Sequence, residues 1–242
     1  MLNDRQDALG HCFKDYLKGT ADTYVLELDD GRIEVYSLKN FFSTYKHWPS
    51  TERKAMRYVR GKVLDIGCGA GRHALFLQEK GHKVVGIDQS PLAIQVCKQR
   101  GVKDARLLAA TQIDTSLGTF DTFIMFGGNF GLVGSIKGAR QILRRLSRIA
   151  SDHARILANT RDPYHPPDDP YWLEYHEINR QKGRMAGQNR MRVRYLGFTS
   201  PWFDWLLVSR DEMEYILQGT GWVVKKYIGT DTPTYVAVIE KK

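Results

Sequence analysis

The run Val63-Leu64-Asp65-Ile66-Gly67-Cys68-Gly69-Ala70-Gly71-Arg72 constrains this chain more than any other stretch. A short apolar segment ends in glycines at alternate positions, and a helix-like pattern follows at once. Glycines without Cβ let the backbone turn sharply and let a ligand come close. The first N–H groups of the following helix have no intrahelical partner and can face that ligand. Seventeen residues after Gly71, a second apolar stretch, Lys83–Ile87, ends at Asp88. A carboxylate at that strand end can accept hydrogen bonds from both ribose hydroxyls of an adenosine group. A dinucleotide fingerprint would require glycine at position 72, where Arg72 stands, so nicotinamide and flavin dinucleotides are disfavoured. Burial of Asp65 and helix capping by Asp88 would explain either acid alone, but not both at this spacing from the loop.

The same alternation continues beyond the loop. His73–Lys80 has a helical pattern stopped by Gly81, and Ser90-Pro91 caps a helix stopped by Gly101. Ala105–Ala110, Phe120–Phe126 and Arg155–Asn159 read as further strands, with apolar residues at helical period from 136 to 150. Ser209-Arg210-Asp211-Glu212 is a capping box opening a helix to about Gln218. Trp222–Ile228 and Tyr235–Ile239 follow with no helix between them, which predicts an antiparallel pair. Strands alternating with helices predict an α/β fold with a mainly parallel sheet covered on both faces. Upstream, Tyr24–Leu28 and Arg32–Tyr36 flank Asp30-Gly31, a hairpin signal, and Ser50 is placed to cap a helix over Thr51–Val59. Residues 1–60 are therefore read as an N-terminal hairpin and helix cap, and 61–242 as the main domain. Its segment from about 161 to 208 breaks the alternation and reads as an insertion after the fifth strand of that domain.

These residues resemble the class I S-adenosylmethionine-dependent methyltransferases, clearly over about 62–160 and more loosely over the last two strands. Asp65-Ile66-Gly67-Cys68-Gly69-Ala70-Gly71 resembles the family's first motif, Asp/Glu-x-Gly-x-Gly-x-Gly, and Gly86-Ile87-Asp88-Gln89-Ser90 its second. Phe120–Phe126 resembles its fourth strand. The resemblance implies a three-layer, doubly wound, seven-stranded sheet in the order 3-2-1-4-5-7-6, with the last strand antiparallel. It also implies S-adenosylmethionine as cofactor, bound by Asp65, Gly67, Cys68, Gly69, Gly71, Arg72, Asp88, Gln89, Thr111, Phe126 and Gly127, with Asp88 on the ribose. Where the family often has an aspartate facing the adenine amine, this chain has Ala110-Thr111-Gln112, so Thr111 or a backbone group would substitute.

Methyl transfer from a sulfonium, which the resemblance implies, needs positioning, exclusion of water and, for some nucleophiles, a general base. Candidates near the reaction are Asn129, after the fourth strand, and His165, after the fifth. Tyr45, with Trp48, is placed to close over the cofactor from the N-terminal segment. Each has a plainer reading, as a turn residue, a surface-loop histidine and packing of the cap. His165, Asp168, Asp169 and His176 fit no recognised ligand spacing, and no metal is expected.

The acceptor stays open between two classes. A formal net charge of +9 raises nucleic acid as a partner. No Asp/Asn-Pro-Pro-Tyr/Phe run follows the fourth strand, and Cys68 and Cys97 are not placed as nucleophiles for cytosine carbon. Arg140, Arg144 and Arg148 recur opposite the apolar stripe of a helix and read as a solvated face. Arg180, Lys182, Arg184, Arg190, Arg192 and Arg194 form the stronger basic footprint, which fits an anionic small molecule, RNA or plain solvent. Pro201-Trp202-Phe203-Asp204-Trp205 favours an aromatic-lined pocket for a small-molecule acceptor. A binding protein that keeps the cofactor loop without catalysis is the third reading. Three scattered cysteines and no apolar run of membrane length predict a soluble, cytoplasmic chain with no membrane partner.

Overall fold

The computed structural model describes residues 2–165, 169–229 and 232–242. In chain order its principal elements begin with α1 (Ala8–Leu17), β1 (Thr23–Leu28), β2 (Ile33–Ser37), α2 (Lys39–Phe42) and α3 (Ser50–Ala55). Next come β3 (Val63–Ile66), α4 (Arg72–Glu79), β4 (Val84–Asp88), α5 (Pro91–Gln99), β5 (Ala105–Leu107) and β6 (Phe120–Met125). Then follow α6 (Ile136–Arg148), β7 (Ala150–Arg161), α7 (Pro170–Gln181), β8 (Gln188–Tyr195), β9 (Phe198–Thr199) and β10 (Phe203–Leu206). The chain closes with α8 (Arg210–Leu217), β11 (Trp222–Ile228) and β12 (Thr234–Lys241).

The seven strands of the larger sheet lie in the order β5-β4-β3-β6-β7-β12-β11. Within it β3, β4 and β5 run parallel, as do β6 and β7, while β12 is antiparallel to both β7 and β11. This is the α/β, doubly wound order that the motifs imply. All four residues of β3 are buried, as a strand covered on both faces requires. A second sheet has the order β10-β8-β1-β2, with β9 beside β8.

By backbone proximity the chain divides into two compact units. One comprises Met1–Trp48, Lys62–Gln112 and Arg190–Phe203. In it the expected hairpin forms, with Tyr24 opposite Tyr36 and Leu26 opposite Glu34. On its other side β1 pairs with β8, placing Glu27 opposite Arg192. Helix α1, which no sequence expectation covered, is capped by Asp7, whose carboxylate accepts the Gly10 amide at 3.2 Å. The same carboxylate accepts the Ser90 hydroxyl at 2.6 Å and the Leu92 amide at 2.9 Å. Asp7 thus fastens α1 to the start of α5, where Ser90 caps and Pro91 holds the first helical position as expected. Cys12 and Phe13 of α1 join Leu38, Ala70, Ala93 and Val96 in one apolar cluster.

The other unit comprises Pro49–Gly61, Ile113–Asn189 and Asp204–Lys242. Here β12 pairs with β7 from Thr234–Arg161 to Glu240–Arg155, which extends the fifth strand well beyond the expected Arg155–Asn159. Ser135 caps α6, and Ser209 with Glu212 makes the expected capping box of α8. Helix α3 begins at Ser50 rather than after it. Pro49, with extended backbone, occupies the cap position, and its carbonyl accepts the Arg53 amide at 3.0 Å. The helix gives way to a 3-10 turn at Met56–Tyr58, short of Val59. In the first unit the third strand is likewise cut short: β5 stops at Leu107, and Ala110–Gln112 form a 3-10 turn.

Candidate functional site

In the first unit Gly67, Gly69 and Gly71 all have positive φ, at 72°, 54° and 81°. L side chains rarely adopt this region, so the loop needs glycine there. At Gly71 space adds to the demand, because a Cβ would come to 2.7 Å from Val102 and 3.0 Å from Cys97. The loop is held from below: the Gly67 and Cys68 amides both donate to the Ile87 carbonyl, at 2.9 and 3.0 Å. The Cys97 thiol donates to the Gly69 carbonyl at 3.1 Å, and the Arg100 guanidinium binds the Ala70 carbonyl. Phe13 and Phe41 stand over Gly69, 3.7 and 3.4 Å from where its Cβ would be. Helix α4 then starts at Arg72 with no side-chain cap, so nothing in its own sequence screens the positive end of its dipole.

Asp88 ends β4 half-buried. Its Oδ2 accepts the Gly69 amide at 3.0 Å and its Oδ1 the Ser90 amide at 2.9 Å. Each carboxylate oxygen keeps further acceptor capacity after those bonds. Burial pushes the Asp88 carboxyl above its ordinary pKa, against the pull of the backbone amides. Gln89 follows it, exposed, and Thr111 is exposed on its 3-10 turn. Asp65 is buried in β3 below the loop. Cys68 and Cys97 lie 3.8 Å apart, sulfur to sulfur, both buried. The Cys97 contact and burial drive the Cys68 thiol far above its usual range, so it is no nucleophile.

Tyr45 stacks on Phe76 of α4, with ring centroids 4.5 Å apart and planes 2° apart, and meets Trp48 edge-on at 5.5 Å. Trp48 is buried and packs edge-on to His73 at 4.6 Å. The Arg72 guanidinium lies 5.5 Å over the Trp48 ring and donates to the Ser43 hydroxyl at 3.3 Å. Tyr45, Trp48 and Arg72 therefore form one bracket on the first turns of α4.

In the second unit Phe126 is buried, Gly127 exposed and Asn129 half-buried at the start of a 3-10 turn. Two side chains absent from the sequence expectations fix this turn. Glu52, buried in α3, accepts the Gly127 amide at 3.1 Å, and Asn159 of β7 accepts the Gly128 amide at 2.7 Å. Asn159 also donates to the Tyr235 carbonyl at 2.9 Å. Trp205 packs so closely that a Cβ at Gly131 would lie 2.3 Å from its ring. His165 is exposed, and its carbonyl accepts from Arg161 at 3.3 Å. Asp168, considered above with His165 as a metal ligand, lies outside the described residues.

Three members of the basic footprint pair with acidic residues of this chain. Arg192 forms two bonds to Glu27, at 2.8 and 3.0 Å, and lies 4.6 Å over Trp202, while Arg194 reaches Glu27 at 3.1 Å. Arg180 pairs with Glu177 at 2.7 Å. On α6 Arg140 is not merely solvated, since it donates to the Tyr215 and Ile216 carbonyls.

Residues 63–152 match a family described as a methyltransferase domain. A curated 2-heptyl-1-hydroxyquinolin-4(1H)-one methyltransferase of Mycobacteroides abscessus is 40% identical over 75 residues, which are 31% of each protein. An 18S rRNA (guanine-N(7))-methyltransferase of Schizosaccharomyces pombe is 34% identical over 89 residues, 36% of this chain and 33% of that one. The alignments thus span about a third of the length of these curated relatives. A crystal structure of an S-adenosylmethionine-dependent methyltransferase from Bacteroides fragilis, in complex with S-adenosylhomocysteine, superposes with a TM-score of 0.85 at 27% identity. That superposition covers 100% of this chain and 97% of the other. Over its whole length the chain therefore has the Rossmann-like fold of that S-adenosylmethionine-dependent methyltransferase, and residues 63–152 match a methyltransferase domain.

Proposed function

We propose that the chain transfers the methyl group of S-adenosylmethionine to a small-molecule acceptor by in-line displacement. The observation that carries the reading is the Gly69–Asp88 construction: a glycine loop over an uncapped helix start, tied to a strand-end carboxylate with spare acceptor capacity. These residues fit the cofactor. Asp88 is assigned to the ribose hydroxyls, with Asp65, Gly67, Cys68, Gly69, Gly71 and Arg72 shaping the loop, and Gln89 and Thr111 at the edge. Phe126 and Gly127 remain assigned to the cofactor, and Asn129, His165 and Tyr45 to the reaction. When bound, the sulfonium supplies an already activated methyl group, so the protein's part is to position two reactants and exclude water.

Support for a small molecule comes from the name of the quinolone-methylating relative and from the internal pairing of Arg180, Arg192 and Arg194. The net charge of +9 and the name of the rRNA-methylating relative favour the second reading, RNA as acceptor. Tritiated cofactor, offered with total RNA and with small-molecule extract, separates them. Label in the small-molecule fraction supports the first reading, and label confined to RNA overturns it. Saturable cofactor binding without transfer would favour a non-catalytic binding protein.

A further inference from the structure

In the second unit, two steps along β6, from Phe120 to Thr122, lie against five along β7, from Ala150 to Arg155. The surplus residues bulge from β7, and such a bulge bends its strand and re-aims side chains. Two bonds brace it: the Ser151 hydroxyl donates to Asp121 Oδ1 at 2.8 Å, and Lys241 Nζ to the Ala150 carbonyl at 3.0 Å. Beside the bulge is an open cleft of about 190 Å³, lined by Arg60, Asp152, His153, Arg155, Glu240 and Lys241. The Arg60 backbone is fixed there by the buried Thr122 hydroxyl, which accepts its amide at 3.0 Å and donates to its carbonyl at 2.7 Å. The cleft lies where β6 begins, whereas the Gly127-Gly128 turn follows the other end of that strand.

Positive charge prevails in this cleft. Arg155 spends one N–H on the Tyr58 carbonyl and one on Glu240, each at 3.1 Å, which takes up the Glu240 charge. Arg60 and Lys241 then stand against the single carboxylate of Asp152. Burial and, next, the Arg60 charge lower the Arg155 pKa, and Glu240 opposes them only in part. Two guanidiniums lining one concave space repel each other, and an oxyanion between them removes that repulsion. A guanidinium is also a fork of N–H donors that matches phosphate geometry. We propose that this cleft binds a phosphate dianion, either free or as the end of a small phosphorylated metabolite. Arg60 and the spare N–H groups of Arg155 hold its oxygens, Lys241 and His153 add donors, and Asp152 works against it. Two guanidiniums and an ammonium suit the two charges of a phosphate monoester better than the one charge of a phosphodiester. The proposal is independent of the methyl-transfer reading.

Inorganic phosphate, ribose 5-phosphate and dimethyl phosphate separate these possibilities. The full chain, with S-adenosylhomocysteine in excess, is titrated with each at about pH 7.5, where a monoester is a dianion, and at constant ionic strength. The backbone 15N–1H signals of Arg60, His153 and Arg155 are followed. The first two compounds should shift those signals saturably, and dimethyl phosphate, a monoanion, should bind about tenfold more weakly. Ribose 5-phosphate binding more tightly than phosphate marks a phosphorylated metabolite as the ligand, and the opposite order marks free phosphate. Arg60→Gln should weaken phosphate by about tenfold, leave S-adenosylhomocysteine affinity unchanged and, since it removes the repulsion on Arg155, not lower the urea midpoint. A purely structural arginine would lower that midpoint. Asp152→Asn should tighten phosphate by about threefold. Signals unmoved by phosphate, equal binding of dimethyl phosphate, or unchanged phosphate affinity in Arg60→Gln would overturn the inference. If Arg60→Gln does not fold, the contrast between phosphate and dimethyl phosphate on the native chain decides alone.

Discussion

The backbone amide of Gly69 donates to Asp88 Oδ2 at 3.0 Å, joining the middle of the glycine loop to the end of β4. One carboxylate therefore orders the loop and, on the proposed reading, faces the ribose. Replacing Asp88 by alanine removes two charge-assisted bonds to the ribose hydroxyls and the tether on Gly69. Calorimetry should show S-adenosylhomocysteine affinity falling by about 100-fold. An unchanged affinity would refute the ribose assignment.

Burial raises the pKa of Asp88, so the folded state takes up its proton at a higher pH than the unfolded chain does. The sign follows from linkage. As pH rises through the unfolded and then the folded pKa, ionisation of this group reduces stability. Cofactor binding runs the other way, since ribose hydroxyls favour the ionised carboxylate. Affinity for S-adenosylhomocysteine should therefore weaken on acidification, starting above the ordinary carboxylate range. In Asp88→Asn this part of the pH dependence should vanish, which a calorimetric pH series would reveal.

Gly71 combines a φ of 81° with two close neighbours, Val102 and Cys97. Gly71→Ala should destabilise the fold by about 3 kcal/mol, from left-handed strain and overpacking together. The urea midpoint measures this. A shift near zero would mean that the loop relaxes freely and does not hold a fixed cradle.

Asp7 serves three donors: the Gly10 amide, the Ser90 hydroxyl and the Leu92 amide. In Asp7→Ala α1 loses its cap, and donors at the start of α5 are left without their acceptor. Thermal or urea unfolding should report a loss of about 3 kcal/mol. Asp7→Asn can still accept at one oxygen and should lose less.

How far the sequence foretold these arrangements depends on the range of the interaction. The alternation of strand and helix, the Ser90-Pro91 start and the Ser209–Glu212 box are local signals, and the chain folds as they indicate. Alternation in β8 also reads directly, with Met191 and Val193 buried and Arg192 and Arg194 turned outward. Their partner does not: Glu27 lies 165 residues from Arg192 along the chain, and no local pattern announces that β1 pairs with β8. Helix α1 has a periodic signal in Leu9, Cys12, Phe13 and Tyr16 after Asp7, but it is only ten residues long, and tertiary contacts with α5 complete it. Glu52 and Asn159 are ordinary helix and strand residues until the fold brings them to the Gly127-Gly128 turn. His176 was visible as a histidine near two aspartates, whereas its burial without a hydrogen-bond partner among the described residues emerges only from packing.

A crystal structure of the full chain with S-adenosylhomocysteine tests the cofactor site most directly. The account predicts both ribose hydroxyls within about 3 Å of the Asp88 carboxylate, with the amino-acid carboxylate of the ligand at the start of α4. A ligand whose ribose lies away from Asp88, with the Gly69–Asp88 bond intact beneath empty space, would contradict it.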